Sequence, residues 1–212
     1  MKLVLAAVIV AAASYFFGCA NGAIIVSKLV YRDDVRRHGS GNAGLTNFCR
    51  TYGAKFAALV VLVDMGKAAA AVLLGAFVGG LVLSAETAVI GKFFAALFCI
   101  LGHIFPVTEK GKGGKGILCG GTLLLLLDWR IALVGWGLFV LCVLTTRYIS
   151  LGSIAATVSL PIMCIFIYDS ILIVLLAAGT ASLVVWAHRE NVKRLLSGTE
   201  RKFSLHKKED KA

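Results

Sequence analysis

The chain has 212 residues, of which 59% are hydrophobic and only 16% charged, and its mean hydropathy is +0.89. A water-soluble domain of this size cannot hide so large an apolar fraction behind so few charges, so a soluble globular enzyme is excluded and lipid is the main solvent. The 22 Lys and Arg against 11 Asp and Glu give a net charge of +11, and in a lipid-embedded chain the placement of that excess reports orientation rather than nucleic-acid binding.

Seven apolar stretches follow one another: Leu3 to Val26, Phe56 to Ser84, Thr87 to Val107, Ile117 to Leu127, Ile131 to Thr146, Tyr148 to Tyr168, and Ser170 to Ala187. All seven read as helices, because a spanning backbone must satisfy its own hydrogen bonds and no series of alternating ten-residue strands is visible. The fourth and fifth fall below the ~17 residues that a straight helix needs to cross, and are expected to form a shallow or tilted hairpin. The first resembles a secretory signal, and Phe17-Gly18-Cys19 hints at a lipoprotein cleavage box. Its apolar run continues to Val26, however, and the positive charge follows it, so it reads as an uncleaved anchor. The expectation is an all-α integral membrane protein with about seven transmembrane helices, two of them short, forming one polytopic domain over residues 1–212. The six cysteines show no C-x-x-C spacing and read as small apolar side chains.

With the N-terminus outside, four segments face the cytoplasm: 28–55, 102–116, the turn at Arg147, and 188–212. They hold six, three, one and eight Lys or Arg, eighteen of the 22, and Lys67 lies within the second stretch. The positive-inside rule therefore places the C-terminus in the cytoplasm. The tail lysines Lys207, Lys208 and Lys211 are also suited to anionic lipid head groups.

Three polar constellations fall on this same side. In HGSGNAGLTNFCR, His38 to Arg50, three closely spaced glycines let backbone N–H groups converge, and Ser40 and Asn42 add side-chain donors. Thr46 or Asn47 is placed to cap a short helix that Gly53 ends, with Arg50 on the same helical edge as both, an arrangement suited to a phosphate. A solvated Gly/Asn/Ser connector is the less favoured alternative. In GHIFPVTEKGKGGKG, Gly102 to Gly116, lysines interleave with glycines; this is either an anion-wrapping loop or a topology-setting one. It is not a Walker loop, because Gly116 stands where Ser or Thr is required. In HRENVKRLLSGTE, His188 to Glu200, His188 and Asn191 share a helical face and Gly198 stops the helix, which also describes an amphipathic juxtamembrane helix. Asp64 and Lys67, three apart inside the second stretch, read as a structural pair, since charges in lipid must face protein. Arg147 and Ser150 begin the sixth stretch at the same level and are candidates to line a site.

Taken in order, these segments resemble the bacterial acyl-phosphate:glycerol-3-phosphate acyltransferases, the PlsY family. The resemblance is carried by Asp34-Val35-Arg36 leading into GSGNAGLTN and Arg50, by LVDMGK from Leu62 to Lys67, by GHIFPV with GGKG, by RYISLGS, and by HRENVKRLLSGTE. Ala43 stands where the family usually has Pro, and Thr108 and Gly111 occupy positions that are often aromatic.

The resemblance implies a seven-helix enzyme of the bacterial cytoplasmic membrane, its pocket facing the cytoplasm, that moves an acyl chain from acyl phosphate to the 1-hydroxyl of glycerol 3-phosphate. The products are lysophosphatidate and inorganic phosphate. It implies Ser40, Arg50, His188 and Asn191 as residues of the reaction, Gly113, Gly114, Lys115 and Gly116 as a glycerol 3-phosphate loop, and Glu200 as mainly structural. The residue chemistry adds Asn42, Thr46, Asn47, Arg147 and Ser150 as donors to two phosphate-bearing substrates, with apolar helix walls for the acyl chain. The expected partners are the two substrates and the lipid bilayer, with no nucleic acid, metal or cofactor. The rival from another class, a permease for a phosphorylated metabolite, requires polar features on the outer side and paired repeats. The short outer turns supply neither.

Overall fold

A computed structural model describes residues 1–82 and 85–203; the tail lysines and Ser84 lie outside the described residues. The described chain is all-helical, with ten α-helices: α1 Lys2–Cys19, α2 Gly22–Tyr31, α3 Leu45–Tyr52, α4 Ala57–Val82, α5 Ala85–Ile104, α6 Ile117–Leu127, α7 Trp129–Thr146, α8 Ile149–Ile167, α9 Ile171–Ala187 and α10 Arg189–Leu196. Among them α1, α4, α5, α7 and α8 are each long and apolar enough to cross a bilayer, and α9 with α10 adds a sixth candidate bent by 61°.

The first apolar stretch is not one helix. It breaks at Ala20 and Asn21, where the Asn21 Oδ1 accepts from the Ile24 N–H (3.1 Å) and starts α2. Of the two stretches expected to be short, α6 has 11 residues, whereas α7 reaches 18 because Asp128 caps it through the Arg130 N–H (2.9 Å) and Trp129 joins its first turn. Asp128 is thus the stop and start signal between two apolar runs.

Lipid offers no hydrophobic drive between helices, so small residues bring backbones together. A Cβ on Gly75 would lie 2.2 Å from the Gly91 carbonyl, and one on Gly91 2.1 Å from that of Gly75, so the α4–α5 crossing requires both glycines. At the carbonyl end of short α6, Lys92 on α5 donates to Leu126 O (3.3 Å), and the Tyr168 hydroxyl donates to the side-chain carboxylate of Asp128, which follows the helix (3.0 Å). Lys92 precedes His103 by eleven residues of helix, about 16 Å. The polar segments therefore gather at the end of the bundle opposite to Lys92 and Asp128.

Candidate active site

A cavity of about 1040 Å³ opens at that end and runs down between the helices. Its mouth carries Ser40, Thr46, Arg50, Lys115, Asn191 and Arg194, while its depth is walled by apolar side chains of α6, α7 and α8 such as Leu118, Leu125, Phe139 and Leu160. All three polar constellations contribute to it.

The loop before α3 is shaped by one buried amide. After a short 3-10 turn capped by Asp34, the chain reverses through Gly39 and Gly41, with φ of 60° and 70°. Asn47, 2% exposed, accepts from the Ser40 N–H (2.9 Å) and donates to the carbonyls of Val35 and His38 (3.0 Å each). This corrects the expectation that Thr46 or Asn47 caps the helix. Gly44 is the N-cap and offers no side chain, both residues lie in the first turn, and the Asn47 amide is spent on the loop. The first turn of α3 consequently has no side-chain cap where Ser40, Asn42, Thr46 and the exposed Arg50 line the cavity.

The glycine loop divides in two. The Gly113 and Gly114 N–H groups donate to Ile104 O (3.2 Å) and His103 O (3.1 Å), and neither residue lines the cavity. Their contribution is close packing: a Cβ on Gly114 would lie 2.5 Å from both Ala43 O and His103 Nε2. Lys115 and Gly116 do line the cavity, and Gly116, with φ of 79°, starts α6 without a side-chain cap. The Lys115 ammonium donates to Asn191 Oδ1, and burial together with the nearby Arg194 charge holds its pKa below the usual lysine range.

At the bend between α9 and α10, His188 donates from Nδ1 to Val184 O (2.8 Å). A carbonyl can only accept, so the neutral ring carries its proton on Nδ1 and presents Nε2 as an acceptor. Asn191 donates to Glu200 Oε1 (2.7 Å), which also takes the Ser150 hydroxyl (2.7 Å), while Glu200 Oε2 takes Arg194 Nε (2.7 Å). Burial alone would raise the Glu200 pKa, but these three donors outweigh it and leave the carboxyl below its usual value. Glu200 is therefore the anchor that orients Asn191 and, through it, Lys115.

Arg147 does not join the cavity. It is exposed in the left-handed conformation (φ 64°) that ends α7, and its carbonyl accepts from Phe203 N–H (2.7 Å), so the C-terminal segment is pinned across the α7–α8 turn. Two features escape a reading of the sequence. Arg36 joins Asp34 (2.6 Å) to Glu109 (2.7 Å) and donates to Lys112 O (2.8 Å), tying the first loop to the second. His103 lines the cavity and contacts Lys67, which pairs with Asp64 (2.8 Å) as expected. The signal for both lay in motif strings, but Glu109 and Lys112 lie more than 70 residues from Arg36, and Lys67 lies 36 residues from His103.

Comparison with known proteins agrees with this arrangement. A family model described as "Glycerol-3-phosphate acyltransferase" matches residues 8–198. A glycerol-3-phosphate acyltransferase of Thermoanaerobacter pseudethanolicus is 36% identical over 197 residues, covering 93% of this chain and 96% of the relative. Crystal structures of PlsY (YgiH), an integral membrane glycerol 3-phosphate acyltransferase, superpose with TM-scores of 0.82 for its glycerol 3-phosphate form and 0.80 for its lysophosphatidic acid form. The identities are 29% and 28%, and each match covers 93% of this chain and 96% or 95% of the other. The chain belongs to the glycerol-3-phosphate acyltransferase family.

Proposed function

We propose that this protein transfers a fatty acyl group from acyl phosphate to the 1-hydroxyl of glycerol 3-phosphate, releasing lysophosphatidate and phosphate. The observation that carries the reading is a single cavity whose cationic, donor-rich mouth continues into an apolar interior. Two phosphates and one acyl chain require that combination. Similar chains crystallised in glycerol 3-phosphate and lysophosphatidic acid forms support the acceptor and the product, and family membership sets the permease alternative aside.

In this mechanism Ser40, Arg50 and the uncapped first turn of α3 hold the acyl phosphate, and Lys115 with Asn191 holds the phosphate of glycerol 3-phosphate. The hydroxyl oxygen attacks the acyl carbon, and the bond from that carbon to the phosphate oxygen breaks as phosphate leaves. The hydroxyl proton passes to His188 Nε2 or to a substrate phosphate oxygen. An acyl-serine route would need a base held against Ser40 and a group that orients that base. Among the described contacts Ser40 makes no hydrogen bond with His188, and Asn191 is engaged by Lys115 and Glu200 instead. Direct transfer is the scheme these contacts favour.

The basic segments and the C-terminus face the cytoplasm of a bacterial cell in this reading, so the mouth collects anionic substrates from that side. The test is purified protein with acyl phosphate and glycerol 3-phosphate. Equimolar lysophosphatidate and phosphate are expected; no product, or product formed equally well from an acyl thioester, refutes the proposal. A stoichiometric acyl ester on Ser40 that glycerol 3-phosphate then discharges overturns direct transfer.

A further inference from the structure

Asp64, Lys67 and His103 are 2%, 6% and 3% exposed, although α4 and α5 are membrane-spanning helices in which buried charge is costly. Their contacts match the broken first stretch. The carbonyls of Gly18 and Ala20, at the carbonyl end of α1, accept from the Lys67 ammonium (3.2 and 2.7 Å), and Asp64 Oδ1 accepts from the Gly22 N–H at the start of α2 (3.1 Å). The cation therefore sits at the negative end of one helix and the anion at the positive end of the next.

That match accounts for the break but not for His103. Lys67 also lies 2.7 Å from His103 Nδ1. An ammonium only donates, so Nδ1 accepts and the ring proton sits on Nε2. The held ring lies against Gly114, whose N–H donates to His103 O, and Lys115 is the next residue. From the same break, Asn21 Nδ2 donates to Ala43 O (3.0 Å), which fixes the loop that carries Ser40 and leads into α3. The break thus reaches both substrate loops by separate arms, one through Asn21 and one through Lys67 and His103.

We propose that Asp64, Lys67 and His103 form a positioning unit that sets the register between the Ser40 loop and Lys115, and so aligns the two bound substrates. The inference rests on the reaction given under Proposed function. A register error separates the reacting atoms without removing either phosphate site, so kcat falls while each KM is nearly kept.

The test compares three variants as purified, monodisperse, folded protein. The double variant Asp64→Leu with Lys67→Met removes both charges and leaves no unpaired ion. His103→Leu removes the Lys67 acceptor, and His103→Asn retains an oxygen near the Nδ1 position. Both the double variant and His103→Leu should lose about 10- to 100-fold in kcat, with each KM within about threefold of wild type, and His103→Asn should recover most of the loss. The 15N spectrum of histidine-labelled wild type should show His103 bare at Nδ1 and protonated at Nε2. Wild-type kcat in the folded double variant overturns the proposal, as does a raised KM for one substrate alone, equal loss in His103→Asn and His103→Leu, or a His103 proton on Nδ1. The nitrogen spectrum judges the unit even if the double variant fails to fold. A wild-type protein that makes no lysophosphatidate refutes the reaction itself, and the spectrum remains a separate result.

Discussion

Replacing Glu200 by Gln leaves the side chain's shape intact and removes its charge. The remaining amide oxygen still accepts from Ser150 and Asn191, both of which bond the same carboxylate oxygen at 2.7 Å, but each bond drops from a charged to a neutral acceptor. That change is worth about 1 kcal/mol per bond. The amide nitrogen then faces Arg194 Nε, donor against donor, where the carboxylate had accepted at 2.7 Å. Arg194 is 42% exposed, so water replaces much of that bond and its loss is held to about 1 kcal/mol. The total of about 3 kcal/mol corresponds to a fall of roughly 6–12 °C in Tm for a chain of this size. The pH dependence has a definite sign. The Glu200 pKa is lowered from 4.5 in the folded protein, so its contribution is complete above that value and is lost as pH falls through the lower folded pKa. Thermal unfolding of both proteins in detergent should show the full difference at pH 7.5 and a smaller one in acid. Activity should fall about tenfold, because the weaker bond holds Asn191, and through it Lys115, less firmly. A Tm within about 2 °C of wild type at neutral pH would refute the anchoring role.

Arg50→Lys should reduce kcat/KM about 10- to 100-fold, since a planar fork matches two phosphate oxygens and an ammonium does not; unchanged kinetics in folded protein would contradict the clamp. Gly114→Ala places a Cβ 2.5 Å from the Ala43 carbonyl and from the held His103 ring, so the loop must move. A loss of at least about 100-fold in kcat/KM is expected, and near-wild-type turnover would show that the loop yields without consequence. Cys49, partly exposed in α3, lies on the side read as cytoplasmic. Burial pushes its thiol pKa up, so labelling is best done at alkaline pH. An impermeant reagent should modify it in lysed cells and not in intact ones; the reverse pattern would invert the topology.

Much of the candidate site was legible because its residues lie close together in the chain. Ser40 and Arg50 reach the cavity from one short segment, and His188 with Asn191 lies one helical turn apart on one face. Asn47, Gly113, Gly114 and Arg147 read equally well as ligand donors, yet the structure commits the first three to loop contacts within the protein and leaves Arg147 outside the cavity. A donor's sequence context shows that it can bind an anion, not whether a carbonyl has already claimed it.

The sequence by itself determined the solvent, the helical class and the end of the bundle where polar chemistry gathers. Apolar run length and the position of Lys and Arg respond to the bilayer directly, residue by residue. The tertiary structure decided how the break in the first stretch is held: Asn21 caps α2 locally, but the Gly22 N–H and the Gly18 and Ala20 carbonyls are satisfied by Asp64 and Lys67, more than 40 residues away. It also decided that Glu200 anchors Asn191 and that His103 stands between Lys67 and Gly114. Pairing across such separations depends on which helix faces meet, and a spanning helix that is apolar all round gives no periodic signal of its face.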